Sequence, residues 1–108
     1  MYSLTGKWLW IDDKRPAPAP APEPFRHCRN YKQAIASIDY FSTCEGGIDF
    51  ISFDHDLGEE KSGYDIAKYL VENHIPVECY AVHSANPVGR FNIEQLLDHY
   101  GYKKLGQS

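Results

Sequence analysis

The chain has little that would anchor it in a membrane or staple it with disulfides. No apolar run approaches the ~20 residues that cross a bilayer, and no signal-peptide pattern is visible, so a soluble, unprocessed cytoplasmic chain is expected. Cysteine is scarce and scattered: Cys28, Cys44 and Cys79 are odd in number and show no Cys-x-x-Cys spacing. That argues against a disulfide framework or a thiolate zinc site, and leaves three buried apolar thiols in a reducing compartment. An excess of positive charge is also missing. Eleven Lys and Arg against 15 Asp and Glu give a formal net charge of -4. This excludes an extended nucleic-acid surface but leaves room for a small phosphorylated ligand or a nucleic-acid end. What is plentiful is apolar and aromatic side chain, 43% and 14% of 108 residues. Such a composition suits one globular domain over residues 1–108.

Periodicity divides the chain into strands and helices. Lys7 to Ile11, Ile48 to Phe53 and Glu78 to Val82 read as buried strands, and Phe25 to Cys28 as a short edge strand. Trp8 and Trp10 are expected on opposite faces of the first strand, as core residues under helices on either side. Proline alternates with alanine over residues 16–24. At that density an extended surface loop is predicted, placed to wall one side of whatever lies at the end of the first strand. Asn30 caps a helix whose apolar positions run to about Ser42, and Ser62 to Asp65 has the spacing of a capping box for a helix ending near Asn73. Pro87 opens a last helix that Gly101 terminates. Tyr102 to Leu105 is the candidate for a fifth strand. Strand–helix alternation with short connections predicts a small α/β fold, a doubly wound parallel sheet of four to five strands.

Polar residues cluster where the apolar runs stop: Asp12-Asp13, then Asp54-His55-Asp56, then His83-Ser84. In an open parallel sheet these are the carboxyl ends of strands, where ligands bind. Asp12, Asp13 and Asp54 offer hard oxygen ligands of the kind Mg2+ or Mn2+ takes. His55 and His83 suit general acid and base work near pH 7, with Asp56 as a further ligand or as the orienter of a histidine. Ser84, Asn86, Gly89 and Arg90, at the start of the last helix, form a candidate phosphate cradle. Arg15 is either a second phosphate contact or a surface charge. Gly58 and Gly63 belong to a turn or a lid. His27, His74 and His99 have no partner motif and are read as surface or satisfied core residues.

The placement of Asp12-Asp13, Asp54 and Ser84 resembles that of two-component receiver domains. The fuller pattern adds Asp12-Asp13-x-Arg15-Pro16, Ser52-Phe53-Asp54-His55-Asp56-Leu57-Gly58 and His83-Ser84-x-Asn86-Pro87-x-Gly89-Arg90. It is similar to the cyclic-phosphate-processing receiver domain family of bacteria and phages. The resemblance covers roughly residues 7 to 97 and implies a receiver-like, flavodoxin-like fold turned to phosphoester chemistry. In ordinary receivers the acidic pair holds a divalent metal, the third Asp accepts a phosphoryl group, the hydroxyl contacts it, and a lysine follows the last strand. Lys103 or Lys104 would be that lysine's remnant here. The function expected is metal-assisted hydrolysis of a cyclic phosphate, either a 2',3'-cyclic phosphate end or a cyclic nucleotide. The alternative is a noncatalytic module that senses a nucleotide or docks a protein. Conventional phosphorylation of Asp54 is a third reading.

Overall fold

Four short apolar runs pair in parallel: β1 (Trp8–Ile11), β2 (Phe25–Cys28), β3 (Ile48–Phe53) and β4 (Val77–Val82). The computed structural model describes residues 7–17, 25–44 and 46–105. Strand order is β2-β1-β3-β4. The chain therefore steps outward from β1 to β2, then crosses back past β1 to β3, the reversal that defines a doubly wound sheet and sets a switch point beside β1. The expected proline-rich loop lies outside the described residues from position 18 to 24.

Three helices follow β2, β3 and β4: α1 (Tyr31–Cys44), α2 (Gly63–Glu72) and α3 (Pro87–His99). Their starts carry the expected chemistry. Asn30 Oδ1 accepts the Gln33 amide at 2.8 Å. Ser62 Oγ accepts the Tyr64 amide, while the Asp65 carboxylate reaches back to the Ser62 amide. These bonds satisfy amides that a helix leaves orphaned at its first turn. The steps from β2 to β3 and from β3 to β4 run the same way across the sheet. Right-handed crossovers therefore put α1 and α2 on one face, and α3 packs against α2.

That face holds the core: Leu9 and Ile11 of β1, Ile51 and Phe53 of β3, and Tyr80 and Val82 of β4 lie under Ile38, Phe41, Ile66, Leu70, Ile93 and Leu97. The two tryptophans depart from expectation. A strand alternates with period two, so Trp8 and Trp10 share a face, the one opposite Leu9 and Ile11, and both stand outside the core cluster. Trp8 meets Phe50 there with ring centroids 4.7 Å apart. Cys28 and Cys79 are buried as expected, but Cys44, at the end of α1, is exposed. The fifth strand reduces to a single parallel bridge between Tyr80 and Lys104, held by Tyr80 N–H to Lys103 O and Leu105 N–H to Tyr80 O. No described helix is long and apolar enough to cross a membrane.

Register aligns the strand ends. Ile11 pairs with both Cys28 and Phe53, and Phe53 pairs with Val82, so Asp12, Asp54 and His83 each follow a paired residue. Gly63 lets α2 begin directly under this edge. Its amide donates to His55 O at 2.8 Å, and a Cβ there would sit 2.2 Å from Asp54 O. Gly63→Ala is expected to lower stability by about 1–3 kcal/mol, the range for overpacking. Urea unfolding measures it, and a loss under about 0.5 kcal/mol would mean that the backbone relaxes freely there.

Candidate functional site

Among the described residues Asp12 is the most buried charge, with 1% of its surface exposed. Leaving a carboxylate unpaired at that depth would cost several kcal/mol, and four donors surround it. The amides of Lys14 and Arg15 both reach Oδ1 at 2.8 Å. His83 Nε2 lies 3.0 Å and Arg15 Nε 3.3 Å from Oδ2. Burial alone would raise the carboxyl pKa, but these bonds outweigh it and hold the group below its ordinary value. Asp12 is therefore ionised at neutral pH. Its own carbonyl oxygen meets His27 Nε2 at 2.8 Å, which gives His27 a partner next to the site.

Asp13 and Asp54 complete a triad. One carboxylate oxygen from each of Asp12, Asp13 and Asp54 lies within 4.8 Å of the others. Two backbone bonds between neighbouring strand ends bring them together. Asp12 N–H bonds to Cys28 O, and Asp54 N–H to Ile11 O. Gly58, at φ +70, lets the loop after β3 pass so close to Asp13 that a Cβ would meet its Oδ2 at 3.0 Å. Arg15 crosses the cluster. Its Nη2 donates to His83 O at 3.1 Å and stands 4.0 Å from Asp54 Oδ2.

His83 is wedged in place. Its ring stacks on Trp10 with centroids 3.9 Å apart and planes 4° from parallel. Nδ1 lies 2.7 Å from Ser52 Oγ. An ionised Asp12 only accepts, so Nε2 carries the proton and Nδ1 receives the Ser52 hydroxyl. Burial pushes the imidazole pKa down, against the pull of Asp12 and Asp54, and keeps the ring neutral at pH 7. Both ring nitrogens are thus engaged.

His55 is held differently. Nδ1 donates to Asp56 Oδ1 at 2.9 Å. Asp56 Oδ2 in turn accepts from Asn86 Nδ2 at 3.3 Å. The His55 bond, aided by Asn86 against a smaller effect of burial, keeps the Asp56 carboxyl below its ordinary range. The ring lies flat against Gly89, where a Cβ would stand 2.3 Å away. One nitrogen is fixed by a carboxylate, and Nε2 keeps its lone pair.

The phosphate cradle expected at the start of α3 is altered. Asn86 Oδ1 accepts the Gly89 amide at 3.0 Å and Asn86 O the Arg90 amide at 2.9 Å, so the cap itself uses those donors. Ser84 Oγ, buried, accepts the Asn86 amide at 3.0 Å. Arg90 turns along the helix to Glu94 at 3.3 Å, and Lys104 joins the same carboxylate at 3.6 Å. Neither the Arg90 guanidinium nor the proposed receiver-type lysine is brought to the carboxylates. The i,i+4 spacing of Arg90 and Glu94 is a local sign of the first pair, whereas the contact of Lys104 with Glu94 has none. The neighbours missed in the sequence are Ser52, Trp10 and His27. Ser52 left one trace: it is the lone hydroxyl in a run of apolar strand residues.

A groove of about 490 Å3 lined by Gly47, Ile48, Asp49, Pro76, Val77 and Tyr102 lies at the opposite edge, where the strands begin. The carboxylates and imidazoles locate the site better than depth does, since open parallel sheets bind at the carboxyl ends of their strands.

Comparison with known proteins agrees with this frame. The family model of the cyclic-phosphate processing receiver domain matches residues 7–99. Among solved structures, the signal receiver domain of a protein described as a Luxo repressor, from Vibrio parahaemolyticus, is similar in fold. The TM-score is 0.51 and identity 15%, over 97% of this chain and 82% of that one. No curated protein matches the sequence.

The two histidines should separate in stability. His83→Ala strands a buried Ser52 hydroxyl and removes a stacked ring, and is expected to cost about 2–3 kcal/mol. His55→Ala loses a bond to an exposed carboxylate and should cost under ~1 kcal/mol. Urea unfolding of both variants checks this, and equal costs would contradict the wedged geometry of His83.

Proposed function

Because the chain belongs to the cyclic-phosphate processing receiver domain family, we propose that it is a phosphoesterase that opens a cyclic phosphate, with His55 as its general acid–base and the three carboxylates as a divalent-metal site. The observation that carries this reading is the pairing of a carboxylate-oriented imidazole, His55 on Asp56, with a triad of hard oxygen donors at one sheet edge. The donor set fits Mg2+ or Mn2+: Asp12, Asp13 and Asp54 supply only carboxylate oxygens, at mutual distances under 4.8 Å. When bound, the ion would place positive charge against the phosphoryl oxygens.

The remaining work belongs to the chain. His55 Nε2 takes a proton from the attacking water as the new P–O bond forms. The bond from phosphorus to one ribose oxygen breaks, that oxygen takes a proton from solvent water to give a phosphomonoester, and the His55 imidazolium returns its proton to solvent. Asp56 holds the ring in one tautomer and steadies the imidazolium, as a carboxylate behind a histidine does. His83 serves this reading as a positioning residue: through Nε2 it fixes the Asp12 carboxylate. Ser84 presents a hydroxyl whose proton is free to meet a phosphate oxygen, while its lone pair takes the Asn86 amide.

The test is a screen of 2',3'-cyclic and 3',5'-cyclic nucleotides with Mg2+, Mn2+ or chelator. Turnover of at least one cyclic phosphate is expected, lost with chelator. His55→Ala should lower the rate ~100- to 10,000-fold with the fold intact. No turnover of any substrate would move the reading to a noncatalytic, receiver-derived nucleotide sensor or protein-docking module.

A further inference from the structure

A cation already stands among the carboxylates. Asp12 has about four acceptor positions as an ionised carboxylate, and all four are taken: two by the turn amides, one by His83 and one by Arg15. A metal ion reaching Oδ2 must displace one of these donors. The amides belong to the turn that ends β1 and do not move independently. His83 is 17% exposed and is pinned by Ser52 and Trp10. Arg15 makes the longest of the four contacts, and its side chain is 55% exposed.

The backbone of Arg15 is nonetheless fixed. Its amide donates to Asp12 Oδ1, and its carbonyl accepts the Trp10 indole N–H at 2.8 Å. The guanidinium is thus tethered at its root and free at its tip. From that root it reaches three acceptors on three strand ends: Asp12 Oδ2, Asp54 Oδ2 and His83 O. An ion that uses Asp12 Oδ2 and Asp54 Oδ2 takes the two carboxylate oxygens that the guanidinium now faces, so the guanidinium must withdraw or share them. A planar fork released beside a phosphate has an obvious second partner, since guanidinium matches two phosphoryl oxygens at once.

We propose that Arg15 is the exchangeable counter-cation of this site: it holds the carboxylates together when no metal is bound, yields Asp12 and Asp54 to the incoming ion, and then grips the phosphate of the ligand. Metal and phosphate binding are coupled through one side chain. The inference rests on the metal reading of Asp12, Asp13 and Asp54, and adds to it an order of events and a role for Arg15 that depends on its two alternative partners.

The signature is a pair of changes of opposite sign. A residue that only props the site would, when removed, weaken every ligand. Removing a competing cation strengthens the metal while weakening the phosphate. Calorimetric titration of Mn2+ alone into the full chain and into Arg15→Gln is expected to show tighter binding by the variant, by roughly 5- to 150-fold, the usual size of coupling between sites. Titration of adenosine 2'-monophosphate with Mn2+ present should show the variant binding about tenfold more weakly. Both proteins should unfold cooperatively, with the metal-free variant melting lower because the clustered carboxylates lose their cation. Mn2+ bound equally by both proteins, or more weakly by the variant, overturns the role of Arg15 and leaves the metal reading standing. Absence of Mn2+ binding by either protein removes the metal reading and the exchange with it. Within the wild type, Mn2+ should raise the affinity for adenosine 2'-monophosphate, and the nucleotide that for Mn2+, by the same factor. Independent binding of the two also overturns the proposal.

Discussion

The Asp12 carboxylate, buried to 1% exposure, is the constraint around which the rest of this sheet edge is arranged. An ion at that depth is tolerated only if its lone pairs are met. The turn after β1 supplies two amides, so the chain must bend sharply at Lys14 and Arg15. The tip of β4 supplies an imidazole, so His83 must face back across β3 toward β1. That imidazole in turn needs a partner for its second nitrogen and a surface to lie on. Ser52 of β3 provides the first and Trp10 of β1 the second. A buried hydroxyl in the middle of β3 and a half-buried tryptophan outside the core follow from one carboxylate.

Parallel register makes this arrangement economical. Side chains at equivalent positions on neighbouring strands stand about 4.8 Å apart, and Trp10 and Ser52 are register partners, with Ala81 beside Ser52. Three strands therefore present a ring stack, a hydroxyl and a small methyl in one row, and the small member leaves room over β4 for His83 to fold back. Glycine serves the same end where loops approach: Gly63 against the Asp54 carbonyl and Gly89 against the His55 ring admit no Cβ.

The strand tips were legible in the sequence because each closes an apolar run with a polar pair, a change of local pattern that needs no tertiary knowledge. The helix starts at Asn30, Ser62 and Asn86 were legible for the same reason, since capping is settled within four residues. Partners across the sheet were not. Nothing near Ser52 marks it as the support of His83, thirty-one positions away. Arg90 was read as a phosphate ligand because it follows Gly89 at a helix start, yet Glu94 lies one turn along and takes it. Trp8 and Trp10 were expected on opposite faces because their bulk argued for core, whereas their two-residue spacing puts both on the face away from α1 and α2. The last strand shrank to one bridge at Lys104 because only Lys103 and Leu105 engage the backbone of Tyr80.

Two histidines at neighbouring strand ends looked equivalent in the sequence, and the fold makes them unequal. A group that moves protons needs one nitrogen held and the other open, so that its tautomer is set and its lone pair available. His55 meets that requirement through Asp56 and Asn86. His83 spends both nitrogens on protein partners, and its burial favours the neutral ring. For His83 to transfer a proton it would first have to give up Asp12 or Ser52, leaving a buried polar group unmatched at a cost of about 1–3 kcal/mol. That penalty would be added to any barrier the site had to lower. The asymmetry leaves His55 one open nitrogen and Arg15 an exposed tip, while His83, Ser52 and Trp10 hold one another in place.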